Sequence, residues 1–384
     1  MNRILLLVNI TGLIIGISYG LHGPILPVFA KNIVGATYSE LGLIGLANFI
    51  PYMFIPIFVG ILLDRINNGY LLSIGVIINS LSIYLLSIAQ SVPEIMGFRI
   101  MTGVAHAFFW PPCESIISEE SNETTRVKNI SWFTMFFVIG FMAGPLLGTV
   151  FLEGLDITYR VLFQITAFIL AGTIITSILV SRRSIKNHKE HFSFSTLKEM
   201  KRFPEVITLL VFCTSSFGII LTIFPAFLND NGMSDGDILL LYFVFGISRV
   251  ASLALAGKFA RKTSQTLIAA TLAVSVGLAI SIFADSIITF GIALILMGFG
   301  FSIFFPLTLE IILSKTPKNI TGKIIGAYET VFGIGWVVGP TMGGSITETL
   351  GSEAPYALFC IIGIGITILA IISRKKLEPN RVLN

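Results

Sequence analysis

Apolar stretches of about twenty residues, each long enough to cross a bilayer as a helix, recur along the whole chain. They fall near 4–29, 41–63, 69–90, 94–117, 129–152, 158–181, 204–228, 237–257, 265–284, 287–313, 322–348 and 355–373. The runs are continuous rather than alternating, so a barrel of transmembrane strands is excluded. Twelve such spans leave no room for a large water-soluble domain. Only 12% of the 384 residues are charged, about half the ~25% that dresses a soluble domain. The predicted fold class is therefore an all-α integral membrane protein.

The first run, in MNRILLLVNITGLIIG, has the charge and apolarity of a secretory signal. It continues to Phe29 without a small-residue cleavage site, which predicts a retained first helix. Cys113, Cys213 and Cys360 lie inside apolar runs at spacings that fit no metal site and no disulfide scaffold. They read as small packing residues, and no metal or cofactor is expected.

Lys and Arg set the predicted orientation. With the N-terminus inside, the cytoplasmic set contains Arg3, Arg65, Arg126, Lys128, the central loop, Lys258, Arg261, Lys262, Lys315, Lys318, Lys323 and the basic tail, whereas Lys31 and Arg160 lie outside. That bias places both termini in the cytoplasm of a multi-pass protein of the cell membrane. The loop 182–203 is the one sizeable polar connection. It divides the chain into a first six-helix bundle, 1–181, and a second, 204–384, with a short cytoplasmic tail.

The two halves repeat. A shift of 195 residues carries GFMAGPLLG (140–148) onto GWVVGPTMG (335–343), so that Gly140, Gly144, Pro145 and Gly148 meet Gly335, Gly339, Pro340 and Gly343. The same shift brings Lys128 onto Lys323, Phe137 onto Phe332, and Gly103, Phe109 and Pro111 onto Gly298, Phe304 and Pro306. A shift of 197 puts Gly60 on Gly257, and a shift of 198 puts Gly20 and Pro27 on Gly218 and Pro225. Agreement at four separate places indicates two homologous bundles related in parallel, the build of transporters whose site lies between the halves near the midplane.

These residues resemble the major facilitator superfamily over essentially the whole chain. GILLDR (60–65) is similar to the family's loop motif after the second helix, although Asn67, Asn68 and Gly69 replace its usual glycine and basic pair. In the second half GKFARK (257–262) keeps the glycine and carries Arg261 in place of an acid. Arg99 and Gly103 in FRIMTG resemble the fourth-helix arginine motif, and GFMAGPLLG resembles the fifth-helix motif of proton-driven efflux antiporters. The resemblance implies two pseudo-symmetric six-helix bundles, alternating access, a monomer, and a latch of the outward-open state. That latch would be formed by Asp64, in one motif with Gly60 and Arg65, near residues 321–323; the alternative is that Asp64 and Arg65 are a solvated pair marking the membrane boundary.

Candidate functional residues follow from charge and position. Glycines four residues apart leave a bare helix face for close approach, and Pro145 removes the helical partner of the Phe141 carbonyl. The paired motifs therefore read either as packing notches or as gating contacts between the halves. Arg99, Gly103, His106 and Trp110 follow one another on one helical face, with Arg99 about 9 Å from the outer end of its span. Arg249 stands twelve residues from both Asp237 and Arg261, roughly 18 Å from either, too deep to snorkel. Ionisable residues at such depth face a cavity or pair with one another. Arg99, His106, Trp110 and Arg249, with Tyr19 and His22 of the first span, are the candidate substrate-cavity residues. Glu329, Glu114 and Glu310 are the candidate proton carriers, because carboxyl groups removed from water exchange protons near neutral pH.

The expected function is secondary transport of small organic solutes, proton-coupled and outward. Two cavity arginines favour an anionic or zwitterionic substrate, and the absence of an acid from the first span weighs against a cationic drug. Uptake by symport or uniport on the same fold is the alternative. A non-transporting membrane sensor belongs to another class, and its usual mark is an appended signalling domain. No clustered catalytic residues suggest an enzyme, and no phosphate-binding loop suggests an ATP-driven pump. The expected partners are a small-molecule substrate, protons and membrane lipid, with no nucleic acid.

Overall fold

A computed structural model of the chain describes residues 3–63, 66–121, 126–181, 200–316 and 321–379. Twelve membrane spans are present, built among the described residues from fifteen α-helices. In the first half these are α1 (Arg3–His22), α2 (Ile25–Asn32), α3 (Tyr38–Leu63), α4 (Asn68–Ile88), α5 (Val92–Ala107), α6 (Trp110–Glu119), α7 (Arg126–Thr149) and α8 (Tyr159–Ser181). In the second they are α9 (Pro204–Thr222), α10 (Phe224–Asp230), α11 (Asp235–Phe259), α12 (Thr263–Phe283), α13 (Ile287–Ser314), α14 (Thr321–Leu350) and α15 (Ala354–Ile372).

Three spans that hydropathy shows as continuous are broken. The first stops at His22, because Gly23 and Pro24 follow, and resumes as α2. The fourth stops at Phe108 ahead of Pro111 and Pro112, and the seventh stops at Ile223 ahead of Pro225. Proline lacks the amide hydrogen that would continue the ladder. Other prolines, Pro51, Pro56, Pro145, Pro306 and Pro340, are carried inside unbroken helices. The fifth span ends in a π-helical turn, Val150–Gly154.

The internal repeat is visible in the packing. α1 lies along α7 as α9 lies along α14, α4 pairs with α8 as α12 pairs with α15, and α3 meets α5 as α11 meets α13. Contact between the halves follows the same symmetry, with α3 against α14 and α7 against α11. One buried cluster includes Val8, Phe29, Phe133 and Phe163; a second includes Phe224, Tyr242, Phe290 and Tyr356. Large apolar side chains such as Phe168, Phe283 and Ile372 stand 69%, 83% and 77% exposed, which water would penalise and lipid does not. Gly35 and Gly232, at φ +84° and +81°, turn the chain at corresponding loops, a conformation that glycine adopts without a side-chain clash.

The face opposite the termini is closed by polar contacts between the halves. Lys31 pairs with Asp230, Asn32 donates to Asn229 at 2.7 Å, and the Tyr38 hydroxyl donates to Asp230 at 2.7 Å. Glu153 accepts from the Ser234 hydroxyl and the Gly236 amide, both at 2.9 Å. On the terminus face the tail knits the second half together: Lys376 pairs with Glu205 at 2.5 Å and Lys315 donates to the Lys376 carbonyl at 2.6 Å.

Candidate functional site

The glycine motifs position the site. A methyl added at Gly144 would stand 2.7 Å from the Gly20 Cα, and one at Gly140 would overlap the Leu13 carbonyl, so α7 and α1 touch backbone to backbone. Gly335 and Gly339 meet Thr214 and Ser215 of α9 in the same manner. The correspondence extends to the prolines, since a methyl at Gly20 or at Gly218 would lie 2.7 Å from the Cδ of Pro145 or Pro340. These notches thus seat helices within one half. Gly148 and Pro340 also reach the opposite half, at Leu239 and at Gly42 and Gly45; Gly343 packs on Ile219 and Ile223.

The residue after the first glycine of each motif crosses between the halves. Phe141 lies 5.4 Å from the Arg249 guanidinium, and Trp336 sits 4.6 Å from Phe49 and 6.3 Å from Tyr52. The 195-residue shift carries Phe141 onto Trp336, and the 197-residue shift carries Tyr52 onto Arg249. The two crossings are one contact made twice.

The rings continue into each half with the same correspondence. His106 lies 5.2 Å from Tyr52 and 4.6 Å from Tyr19; Phe301 lies 5.2 Å from the Arg249 guanidinium and 3.6 Å from Phe217. Shifts of 195 and 198 residues place His106 on Phe301 and Tyr19 on Phe217. With Trp336 and Phe217 5.4 Å apart, rings run without interruption from Tyr19 to the cage of Arg249. That cage comprises Phe141, Phe217, Phe245 and Phe301 and holds the cation from several sides. The Arg249 Nε also donates to the Ser302 hydroxyl at 3.2 Å.

The first-half end of this arch is polar. The Tyr19 hydroxyl shares a hydrogen with His106 Nδ1 at 2.8 Å, and Asn79 donates to the same hydroxyl at 3.5 Å. His22 Nδ1 donates to the Ser18 carbonyl at 2.6 Å. Arg99 acts electrostatically on Tyr19, His22 and His106. Trp110 leaves this face. The break at Phe108 ends the register that would have aligned it with His106, and it packs instead on Phe109, Phe133 and Phe137 at 5.2, 5.4 and 5.0 Å.

The acids divide. Glu114 on α6 and Glu329 on α14 come from opposite halves, interact with each other, and both act on Tyr52. Glu114 is exposed and Glu329 half-buried. Glu310 is exposed on α13 and stands apart from them. Gly60 lies in α3, whereas Asp64 and Arg65 fall outside the described residues.

Sequence reasoning missed Tyr52, Asn79, Phe217, Phe301 and Trp336 as site residues. The repeat held the signal for most of them, because each occupies or faces the counterpart of a residue already singled out.

The fold agrees with known proteins. The family model described as Major Facilitator Superfamily matches residues 8–340 and 264–384. The chain is 24% identical to the Quinolone resistance protein NorA of Staphylococcus aureus (strain MRSA252), covering 98% of this chain and 97% of that protein. It is 25% identical to Multidrug resistance protein 2 of Bacillus subtilis (strain 168), covering 95% and 94%. Among solved structures, the nucleoside transporter NupG superposes with a TM-score of 0.77 at 13% identity, over 97% of this chain and 100% of that one. A bacterial homologue of the human lysosomal transporter Spinster, inward-facing and occupied, gives 0.74 at 15% identity, over 97% and 96%. A twelve-helix membrane protein whose halves repeat and whose sequence matches that family model along its length belongs to the Major Facilitator Superfamily of transporters.

Proposed function

We propose that this transporter exports a small organic anion or zwitterion across the cell membrane in exchange for protons, as a monomer that contains both halves of its site. The observation that supports this is that Glu114 and Glu329 come from opposite halves and both lie within electrostatic reach of Tyr52, a ring of the arch that ends in the Arg249 cage. Acids shared between the halves change their surroundings whenever the halves rock, which is what coupling a proton to cargo requires. With the termini in the cytoplasm, the face closed by Lys31 and Asp230 is the outer one. Closure at the outer face belongs to the state in which an exporter loads from the cytoplasm. Drug resistance in the names of the two curated relatives fits removal of a compound from the cell.

The test is flux of a panel of aromatic anions, zwitterions and cations in proteoliposomes with an imposed pH gradient. The expected result is anion flux driven by the gradient and reduced about tenfold or more by Glu329→Gln, with binding retained. Flux indifferent to the gradient overturns proton coupling, and flux only down the substrate gradient identifies a uniporter.

A further inference from the structure

The first-half wall of the site contains buried polar atoms that the protein leaves unsatisfied. His22 is fully buried, and its Nε2 has no partner. The Ser18 hydroxyl and Asn79 Oδ1, also buried, are in the same condition, as is the Arg99 Nε. No hydrogen bond or ion pair of Arg99 is made among the described residues. These groups converge: Tyr19 joins Asn79 to His106 and lies 5.6 Å from the His22 ring, Ser18 holds His22, and Arg99 precedes His106 by seven residues, two turns, on the same face of α5. Native proteins rarely leave buried polar atoms orphaned, and Arg99, half-buried with its Nε shut away, has no acid among the described residues paired with its charge.

The fold does not require this polar set. The same shifts that align the halves place Leu294 at the position of Arg99 and Ile220 at that of His22. Water alone supplies no negative charge to balance the guanidinium. The orphans therefore describe a ligand. Arg99 calls for an oxyanion. His22 donates through Nδ1 to a carbonyl, so the neutral ring presents a bare Nε2 lone pair, and Asn79 Oδ1 is likewise an acceptor. Both call for an N–H or O–H donor on the same ligand. Flat faces flank the set in His106 and Tyr52, and Trp336 beyond them has an indole N–H without a partner.

We propose that Arg99, His22 and Asn79 form a recognition subsite for a planar aromatic acid bearing an N–H or O–H donor beside its carboxylate. This rests on the export reading and names its cargo class. The polar edge of the ligand binds the first half, and its ring lies toward Trp336 of the second. His22 is the specificity-determining residue, because it reads the donor rather than the charge.

The test is calorimetric titration of the full-length protein in nanodiscs with anthranilate, benzoate, aniline and benzyltrimethylammonium. Anthranilate is expected to bind about tenfold more tightly than benzoate, which lacks the donor, with aniline and the cation weaker again. His22→Leu should bring the anthranilate-to-benzoate ratio to about one while leaving benzoate affinity in place. Arg99→Gln should remove binding of both acids; where that variant does not fold, the His22→Leu ratio decides. Equal affinity for anthranilate and benzoate in the native protein, or tightest binding of benzyltrimethylammonium, overturns the proposal. Proteoliposome flux separates the two readings. Binding that depends on His22 with flux that ignores the pH gradient removes proton-driven export and keeps the subsite. Gradient-driven export of a compound indifferent to His22→Leu removes the subsite and keeps export.

Discussion

At the scale of the residue, what matters is what each side chain touches. Gly144 and Gly172 both lie inside helices, yet a methyl at Gly144 meets α1 backbone whereas one at Gly172 meets open space. Gly144→Leu is expected to abolish transport and lower the yield of folded protein, while Gly172→Ala leaves flux within about twofold; size-exclusion profiles and flux assays check both. Arg249 was legible as a candidate from its depth alone, because a charge in an apolar run is visible. Its cage was not, because one phenylalanine among 32 carries no mark of what it faces. A planar guanidinium stacks on several rings at once and an ammonium does not. Arg249→Lys should therefore destabilise the protein by about 1–2 kcal/mol, read as a lowered melting temperature in detergent.

At the scale of the element, the sequence predicted the number of spans and their approximate ends, and the structure contains them. The broken spans were not predicted, because hydropathy averages over the prolines that interrupt the amide ladder at Pro24, Pro111 and Pro225. Trp110 is the consequence: a register argument holds only within one uninterrupted helix. Breaking the first and seventh spans also creates α2 and α10, whose ends bring Lys31 to Asp230 and Asn32 to Asn229. Such half-exposed pairs contribute roughly 0.2–1 kcal/mol each. Lys31→Asp should then shift the population away from the state closed at this face by about two- to fivefold. Lys31→Asp combined with Asp230→Lys should restore it. Spin labels at Val34 and Met233 report the change, and equal distance distributions in all three proteins would rule out a latch.

At the scale of the molecule, the site is one constellation written twice and then diverged. Tyr19, Tyr52, His106 and Phe141 in the first half correspond to Phe217, Arg249, Phe301 and Trp336 in the second. One copy kept hydrogen-bonding groups, and the other became a ring cage around a single charge. Each buried cluster also lies almost wholly within one half, with Val28, Ala226 and Leu239 crossing over, so each half should fold as a unit. Residues 1–181 and 204–384 expressed together as separate chains are expected to copurify and restore at least about a tenth of the native flux, with neither half active alone. Recovery of folded protein only from the intact chain would show that the halves depend on each other to fold.

The sequence by itself determined that the chain lives in lipid, crosses it twelve times and repeats halfway. Each of these follows from a property that accumulates along the chain: length, apolarity and period. Matched glycines further indicated which helices approach closely. Only the tertiary structure decided that Phe141 reaches Arg249, that Trp336 reaches Tyr52, and that Arg99 and His22 share a wall with unsatisfied atoms. Helical period specifies which residues share a face of one helix. What stands opposite that face is set by how whole helices pack, and in an apolar membrane interior nearly every face is greasy enough to permit several answers.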